Sequence, residues 1–207
     1  HLYHRRQRQM CIRDRNRPDE ALVSFHRIDD LLERMGAITR QLKSYSRKGG
    51  DSLGPVDLNS AIGAVLSMME LQLKQEAVDI IRTAPETPVW VLGDRVRIEQ
   101  VLVNLLRNAI DATQGVVDPE IEIRLVGGEN ASLTVRDNGY GVDDLDALFE
   151  PFYTTKQPGE GVGLGLAISS GIVTDLGGRL LVRNVEDGGA LFEMQLPILT
   201  DHIAAAE

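Results

Sequence analysis

The fold is decided at Glu99–Ala112, which reads EQVLVNLLRNAIDA. Its apolar residues recur at helical spacing and predict the packed side of an amphipathic helix. Asn104 and Asn108 lie four residues apart, so they share one face of that helix. An amide oxygen is a hard, neutral ligand that suits Mg²⁺, which takes few protein ligands and keeps waters and phosphate oxygens. Two exposed helix positions would explain the same pair, so this motif alone leaves both interpretations open.

A second motif, Asp137–Gly141 (DNGYG), follows the predicted strand Leu133–Arg136. A buried carboxylate at a strand end can accept a hydrogen bond from an adenine amine, and the glycines let the backbone approach the ring. Asp-Asn-Gly is also a common turn sequence. The motif is therefore consistent with a base-binding loop or with an ordinary turn.

A third motif lies in a long predicted loop, 138–160, with a short helical piece at Leu145–Phe149. Connections longer than about 12–15 residues inside a domain are usually functional lids or linkers, and flanking glycine motifs favour a lid. Residues Leu148–Lys156 read LFEPFYTTK, and their apolar cluster suits anchoring such a lid. Lys156 would place a point charge on a terminal phosphate, although a solvated lysine is the alternative.

The fourth motif is Gly159–Ser169 (GEGVGLGLAIS), which opens a predicted helix over Leu164–Leu176. Backbone N–H groups at a helix N-terminus bind phosphate, and glycines permit close approach. A dinucleotide-binding fold would need a strand before the glycines. A P-loop would need Gly-Lys-Ser/Thr after them. Neither requirement is met, so both generic alternatives fail.

The remaining pattern alternates strands and helices, as in an α/β domain. Asn59 is expected to cap a helix that ends near Gln75, and Asp94 to cap the helix of the asparagine pair, which runs through Thr113. The strands are predicted at Val56–Leu58, Val78–Arg82, Val89–Leu92, Ile121–Val126, Leu133–Arg136, Arg179–Arg183 and Leu191–Leu196.

Composition narrows the class of protein. The chain has 207 residues and a formal charge of −9, which argues against a nucleic-acid surface because phosphate backbones need clustered Lys and Arg. No apolar run approaches the roughly 20 residues that span a bilayer. The single Cys11 excludes an internal disulfide and fits a reducing cytoplasm.

The N-terminal residues divide into two segments. Residues 1–15 form a basic string that resembles a translated sequencing adapter, so we expect an artefact or a disordered arm there. Pro18–Lys48 predicts a helix whose apolar residues alternate steps of three and four, a seam that favours pairing with other helices. The seam consists of Ile28, Leu31, Met35, Ile38, Leu42 and Tyr45. A glycine-rich linker follows.

In combination and order, the four motifs resemble the N, G1, F and G2 boxes of sensor histidine kinases. The resemblance extends over about residues 18–197. It is most similar to the C4-dicarboxylate-transport type of sensor in three segments, RMGAITRQLKSYSRK, VWVLGDRVRIEQVLVNLLRNAIDA and LFEPFYTTK. It implies an α/β fold of the Bergerat (GHKL) type: a two-layer sandwich of a mixed sheet and three helices, preceded by one long helix of a dimerisation hairpin. Residues 16–50 would be the second hairpin helix, 51–198 the catalytic ATP-binding domain and 199–207 a tail.

The resemblance also implies roles. Asn108 would hold Mg²⁺ and phosphate with support from Asn104, Asp137 would recognise adenine, and Lys156 would contact phosphate and lid. ATP and Mg²⁺ are the implied cofactors. The further nucleotide-binding residues are Arg107, Gly139, Gly141, Gly161, Val162, Gly163, Leu164, Gly165 and Leu166.

Two positions depart from the family pattern. Asp111 stands where some histidine kinases carry Lys, so phosphate neutralisation would rest on Lys156 or Arg107. An acceptor histidine is normally followed by an acidic residue and then proline, whereas Arg27-Ile28-Asp29 follows His26. The acceptor helix is therefore expected upstream of Asn16. Implied partners are that helix, a second copy of the chain and a response-regulator receiver domain. The domain would be cytoplasmic, in a protein anchored in the bacterial inner membrane.

Two other functions fit the same fold. One is an ATP-hydrolysing relative, gyrase-like or chaperone-like, but such enzymes place a Glu base one turn before the metal-binding Asn, where this chain has Asn104. The other is a dimerisation module without ATP chemistry, which the intact motifs disfavour.

Overall fold

The computed structural model describes residues 53–156 and 162–200, which contain two β-sheets and three α-helices. The helices are α1 (Leu58–Gln75), α2 (Arg95–Ala112) and α3 (Gly165–Asp175). α2 carries the asparagine pair and packs against both other helices and the sheet. The family-implied architecture of a mixed sheet with three helices is confirmed.

The strands form two sheets. The main one has the order β2-β4-β5-β7-β6, in which β2 and β4 are parallel and the other neighbours antiparallel. A two-stranded antiparallel sheet pairs β1 with β3. The bounds are β1 Gly54–Asp57, β2 Asp79–Thr83, β3 Trp90–Gly93, β4 Glu120–Val126, β5 Asn130–Asp137, β6 Arg179–Asn184 and β7 Ala190–Pro197. A 3-10 turn, Ala147–Phe149, lies in the predicted lid loop.

The two capping predictions had different outcomes. Asp94 caps α2 as expected, with its carboxylate accepting from the N–H groups of Val96 and Arg97 at 2.9 and 3.3 Å. The expectation for Asn59 was wrong. Asp57 caps α1, because its carboxylate accepts from the N–H groups of Asn59 and Ser60 at 3.1 Å each, and the helix therefore begins at Leu58.

Alternation along β5 places a carboxylate on the helix side of the sheet. Ala131, Leu133 and Val135 are buried against the helix layer, and their neighbours are partly exposed. Asp137 continues the same phase at the strand end, since side chains alternate faces with a period of two. Its side chain therefore points into the protein and is only 2% exposed.

The chain divides into two compact units, and every element named above belongs to the unit containing 53–155 and 163–200. Lys156 and Val162 belong to the other unit. The predicted seam helix Pro18–Lys48, Gly161 and residues 201–207 of the predicted tail lie outside the described residues. In the described ranges, no helix has the length and apolarity needed to cross a membrane.

Candidate functional site

Asp137 is a buried carboxylate held by two backbone donors. Its Oδ1 accepts from the N–H of Gly139 at 2.9 Å and from the N–H of Ala190 at 3.2 Å. Burial raises the pKa of Asp137 above its ordinary value, although these hydrogen bonds and the nearby charge of Arg136 oppose the rise. Both donors end on Oδ1, so Oδ2 is the oxygen left to accept from a ligand.

The loop after Asp137 lies on the C-terminal end of α2. A β-carbon added to Gly139 would overlap the carbonyl group of Ala112, and the Tyr140 N–H donates to that carbonyl at 3.4 Å. Only glycine permits this approach. The second motif is thereby brought against the helix of the first.

The third and fourth motifs also meet. The Phe152 N–H donates to the Gly163 carbonyl at 2.9 Å. Gly163 has a φ of 69°, and a β-carbon there would crowd the backbone of Phe152 and Tyr153. Phe152 itself has a φ of 70°, a conformation that is uncommon for a bulky residue. The lid and the glycine motif are therefore packed backbone to backbone.

The side chain of Asn104, a residue of α2, contacts α3. Its amide nitrogen donates to the Ser169 hydroxyl at 3.0 Å, and Ser169 is 2% exposed. The side-chain oxygen lies where a β-carbon of Gly165 would be. The N-cap residue of α3, Leu164, makes no side-chain capping bond, unlike Asp57 and Asp94 in α1 and α2. The N–H groups of this turn are therefore not capped by their N-cap residue.

Asn108 is the residue most suited to a metal. It is partly buried, and within 53–156 and 162–200 its amide has no hydrogen-bond partner. The same ranges contain no group of three His, Cys, Asp or Glu that would hold a metal by itself. Such a site fits Mg²⁺, which takes one or two protein ligands together with water and phosphate oxygens. Arg107 is exposed beside it.

The structure brings together most of the predicted site. Asn104, Asn108 and Arg107 lie on α2, Asp137, Gly139 and Gly141 on the loop over its C-terminal end, and Gly163, Leu164, Gly165 and Leu166 at the start of α3. Since Lys156 and Val162 belong to the other unit and Gly161 is not described, their part in the site stays a prediction.

Sequence reasoning missed three supporting residues. Ala190, Ser169 and Asn184 contact the motifs from positions 53, 65 and 42 residues away in sequence. The available signals were a glycine pair before Ala190 and two adjacent serines, Ser169 and Ser170, in a largely apolar helix. Neither pointed to a partner.

The fold and this arrangement define a GHKL-type ATP-binding domain. Comparison with known proteins gives the same class. The model of the histidine kinase-, DNA gyrase B- and HSP90-like ATPases matches residues 93–200. The chain belongs to that family, and its domain is of the kind found in two-component sensor histidine kinases.

Among curated relatives, the C4-dicarboxylate transport sensor protein DctB of Pseudomonas aeruginosa is 37% identical over 188 residues, covering 88% of this chain and 31% of that protein. DctB of Rhizobium meliloti is 38% identical over 173 residues, covering 81% of this chain and 27% of that protein. The chain thus spans less than a third of these relatives. The solved catalytic domain of the histidine kinase ThkA is 30% identical with a TM-score of 0.63, covering 70% of this chain and 95% of that one.

Proposed function

We propose that this domain binds Mg–ATP and directs its γ-phosphate to a histidine, as the catalytic part of a two-component sensor kinase. The observation that carries the proposal is the pair of contacts along α2. Gly139 lies on Ala112 near the buried Asp137, and Gly165 lies on Asn104. These two helix positions are eight residues apart, which is about 12 Å along an α-helix. That separation is on the scale of a nucleotide, with its base at one contact and its phosphates at the other.

Each end has matching chemistry. The Asp137 carboxylate accepts from the adenine amine, and Gly139 and Gly141 let the backbone approach the ring. Phosphate would meet the N–H groups of Gly163 and Leu164, just before α3, and those of Gly165 and Leu166 at its uncapped start. Arg107, three residues after Asn104 on α2, adds a positive charge, and the phosphate contacts of Lys156, Gly161 and Val162 stay predictions from the sequence.

Asn108 would hold Mg²⁺ through its side-chain oxygen, with Asn104 one turn away. The metal, when bound, neutralises charge on the phosphates. In phosphoryl transfer an acceptor imidazole nitrogen bonds to the γ-phosphorus as the bond to the ADP oxygen breaks. The protein contributes positioning and charge stabilisation.

Transfer is favoured over hydrolysis. A water nucleophile would need a general base, and the position one turn before Asn108 carries an amide in place of a carboxylate. In the wider assembly we propose a homodimer that passes the phosphate to a response-regulator aspartate. The domain would then work in the cytoplasm, within a membrane-anchored sensor.

Equilibrium binding to the 207-residue chain tests this proposal. Mg–ATP should bind more tightly than Mg–GTP, because guanine presents a carbonyl where adenine presents its amine. ATP hydrolysis by the chain alone should be slow. Equal affinity for both nucleotides would remove Asp137 from base recognition, and rapid hydrolysis would favour an ATPase.

A further inference from the structure

We infer that Asn184, at the end of β6, is a positioning residue for the base-binding end of the site. This inference rests on the proposed function and deepens it. Asn184 belongs to none of the four motifs, and its side chain makes two hydrogen bonds to one residue of the loop that follows Asp137.

The two bonds form a reciprocal clamp. The Val142 N–H donates to Asn184 Oδ1 at 2.8 Å, and Asn184 Nδ2 donates to the Val142 carbonyl at 2.8 Å. An asparagine side chain supplies both an acceptor and a donor. It can therefore bond to the N–H and the carbonyl of one residue, as the backbone of a neighbouring strand does. The clamp fixes a loop residue that the sheet itself does not reach.

The same clamp constrains Gly141. Its φ is 78°, a left-handed conformation that glycine adopts readily. A β-carbon there would lie 2.9 Å from Asn184 Oδ1 and 3.4 Å from the Gly189 carbonyl oxygen. Asn184 therefore sets how closely the Gly141 backbone approaches the β6–β7 turn.

That turn also holds Asp137. The Ala190 N–H donates to Asp137 Oδ1 at 3.2 Å, and a β-carbon at Gly189 would overlap the Asp137 carbonyl. The start of β7 thus orients Asp137, the proposed adenine acceptor. Asn184, at the end of β6, orients the loop after Asp137 that contains Gly139 and Gly141. The β6–β7 hairpin therefore holds both Asp137 and the loop that follows it.

Asn184 is exposed, so its removal takes nothing from the core. Losing two hydrogen bonds that hold only the loop should act on loop geometry more than on folding. Because both hydrogen bonds to Val142 are lost together, we expect affinity at the base end to fall about tenfold. The phosphate end, built on α3, should be unaffected.

The test compares ADP with inorganic triphosphate, both in the presence of Mg²⁺, by calorimetry and by displacement of a fluorescent nucleotide. Asn184→Ala should weaken ADP binding about tenfold and leave the affinity for inorganic triphosphate unchanged. Asn59→Ala is the matched control. Its amide similarly bridges separate segments, donating to the Pro85 carbonyl at 2.8 Å, and its loss should leave ADP affinity unchanged.

Each outcome is decisive. An Asn184→Ala chain with unchanged ADP affinity, or with equal losses for ADP and triphosphate, would overturn the positioning role while the proposed function stands. A parent chain that binds neither ligand would overturn the proposed function itself, and this inference with it.

Discussion

The side-chain nitrogen of Asn104 donates to the Ser169 hydroxyl at 3.0 Å, joining the asparagine helix to the glycine-motif helix. The same side chain lies against Gly165, at the first position of α3. Gly165 is not among the residues with positive φ, so close approach, rather than backbone conformation, explains glycine at this position. The spacing of α2 and α3 at the phosphate end therefore depends on this contact.

Gly165→Ala tests that dependence. The added methyl group would overlap the Asn104 amide, so we expect α3 to shift and Mg–ATP affinity to fall by at least tenfold. Gly171→Ala is the control in the same helix, because a β-carbon there meets nothing within 4 Å. It should retain binding and raise the free energy of unfolding by about 0.5–1 kcal/mol, as expected for Gly to Ala in a helix. Equal binding by both variants would refute the close-approach explanation.

Asp137→Asn separates recognition from stability. The amide oxygen can still accept from Gly139 and Ala190, but the charge-assisted bond to adenine is lost. We expect ATP affinity to fall by more than about 1 kcal/mol. The unfolding midpoint at neutral pH should stay the same or rise, because burial of the charged form is unfavourable. A large loss of stability with intact affinity would contradict this role.

The raised pKa of Asp137 also predicts a pH dependence. The folded state holds this proton more tightly than the unfolded state, so this group's contribution to stability increases as pH falls through the folded pKa. Adenine binding needs the carboxylate form. Calorimetry should show ATP affinity falling on acidification at a higher pH than an ordinary aspartate would give, and this dependence should be absent in Asp137→Asn.

Local patterns in the sequence were sufficient to predict the helices and strands that carry the motifs. Helical spacing predicted α2 and its Asp94 cap, and the period-two pattern of β5 placed Asp137 at a strand end. The prediction of Asn59 as a cap failed because several polar residues compete at the start of α1. The Asp57 carboxylate accepts from the first N–H groups of the helix, those of Asn59 and Ser60. Its position there depends on where β1 ends, which the local sequence does not determine.

Local patterns could not predict contacts between residues that are far apart in the sequence. Ser169 lies in an apolar helix, and nothing in its own neighbourhood indicates Asn104 as its partner. Asn184 ends a strand, a common place for asparagine, and its clamp on Val142 depends on how β6 and the glycine loop meet in three dimensions. The packing of the sheet creates these contacts.

Asn108→Ala addresses the metal. The amide has no partner within the described residues, so its removal should leave the circular dichroism spectrum and unfolding midpoint unchanged. We expect the enhancement of ATP binding by Mg²⁺ to disappear, while binding without the metal persists. Full Mg²⁺ dependence in the variant would mean that another residue holds the ion.

The central claim is tested most directly by incubation with ATP labelled at the γ-phosphate. The chain alone should bind nucleotide and acquire no acid-labile label, because His26 lacks the acidic neighbour and proline of an acceptor motif. Adding the dimerisation domain of a similar C4-dicarboxylate sensor, with its acceptor histidine, should place label on that domain, and Asn108→Ala should prevent it. Acid-labile label on the chain alone that disappears in His26→Ala, or no label on any added acceptor despite bound ATP, would contradict the account.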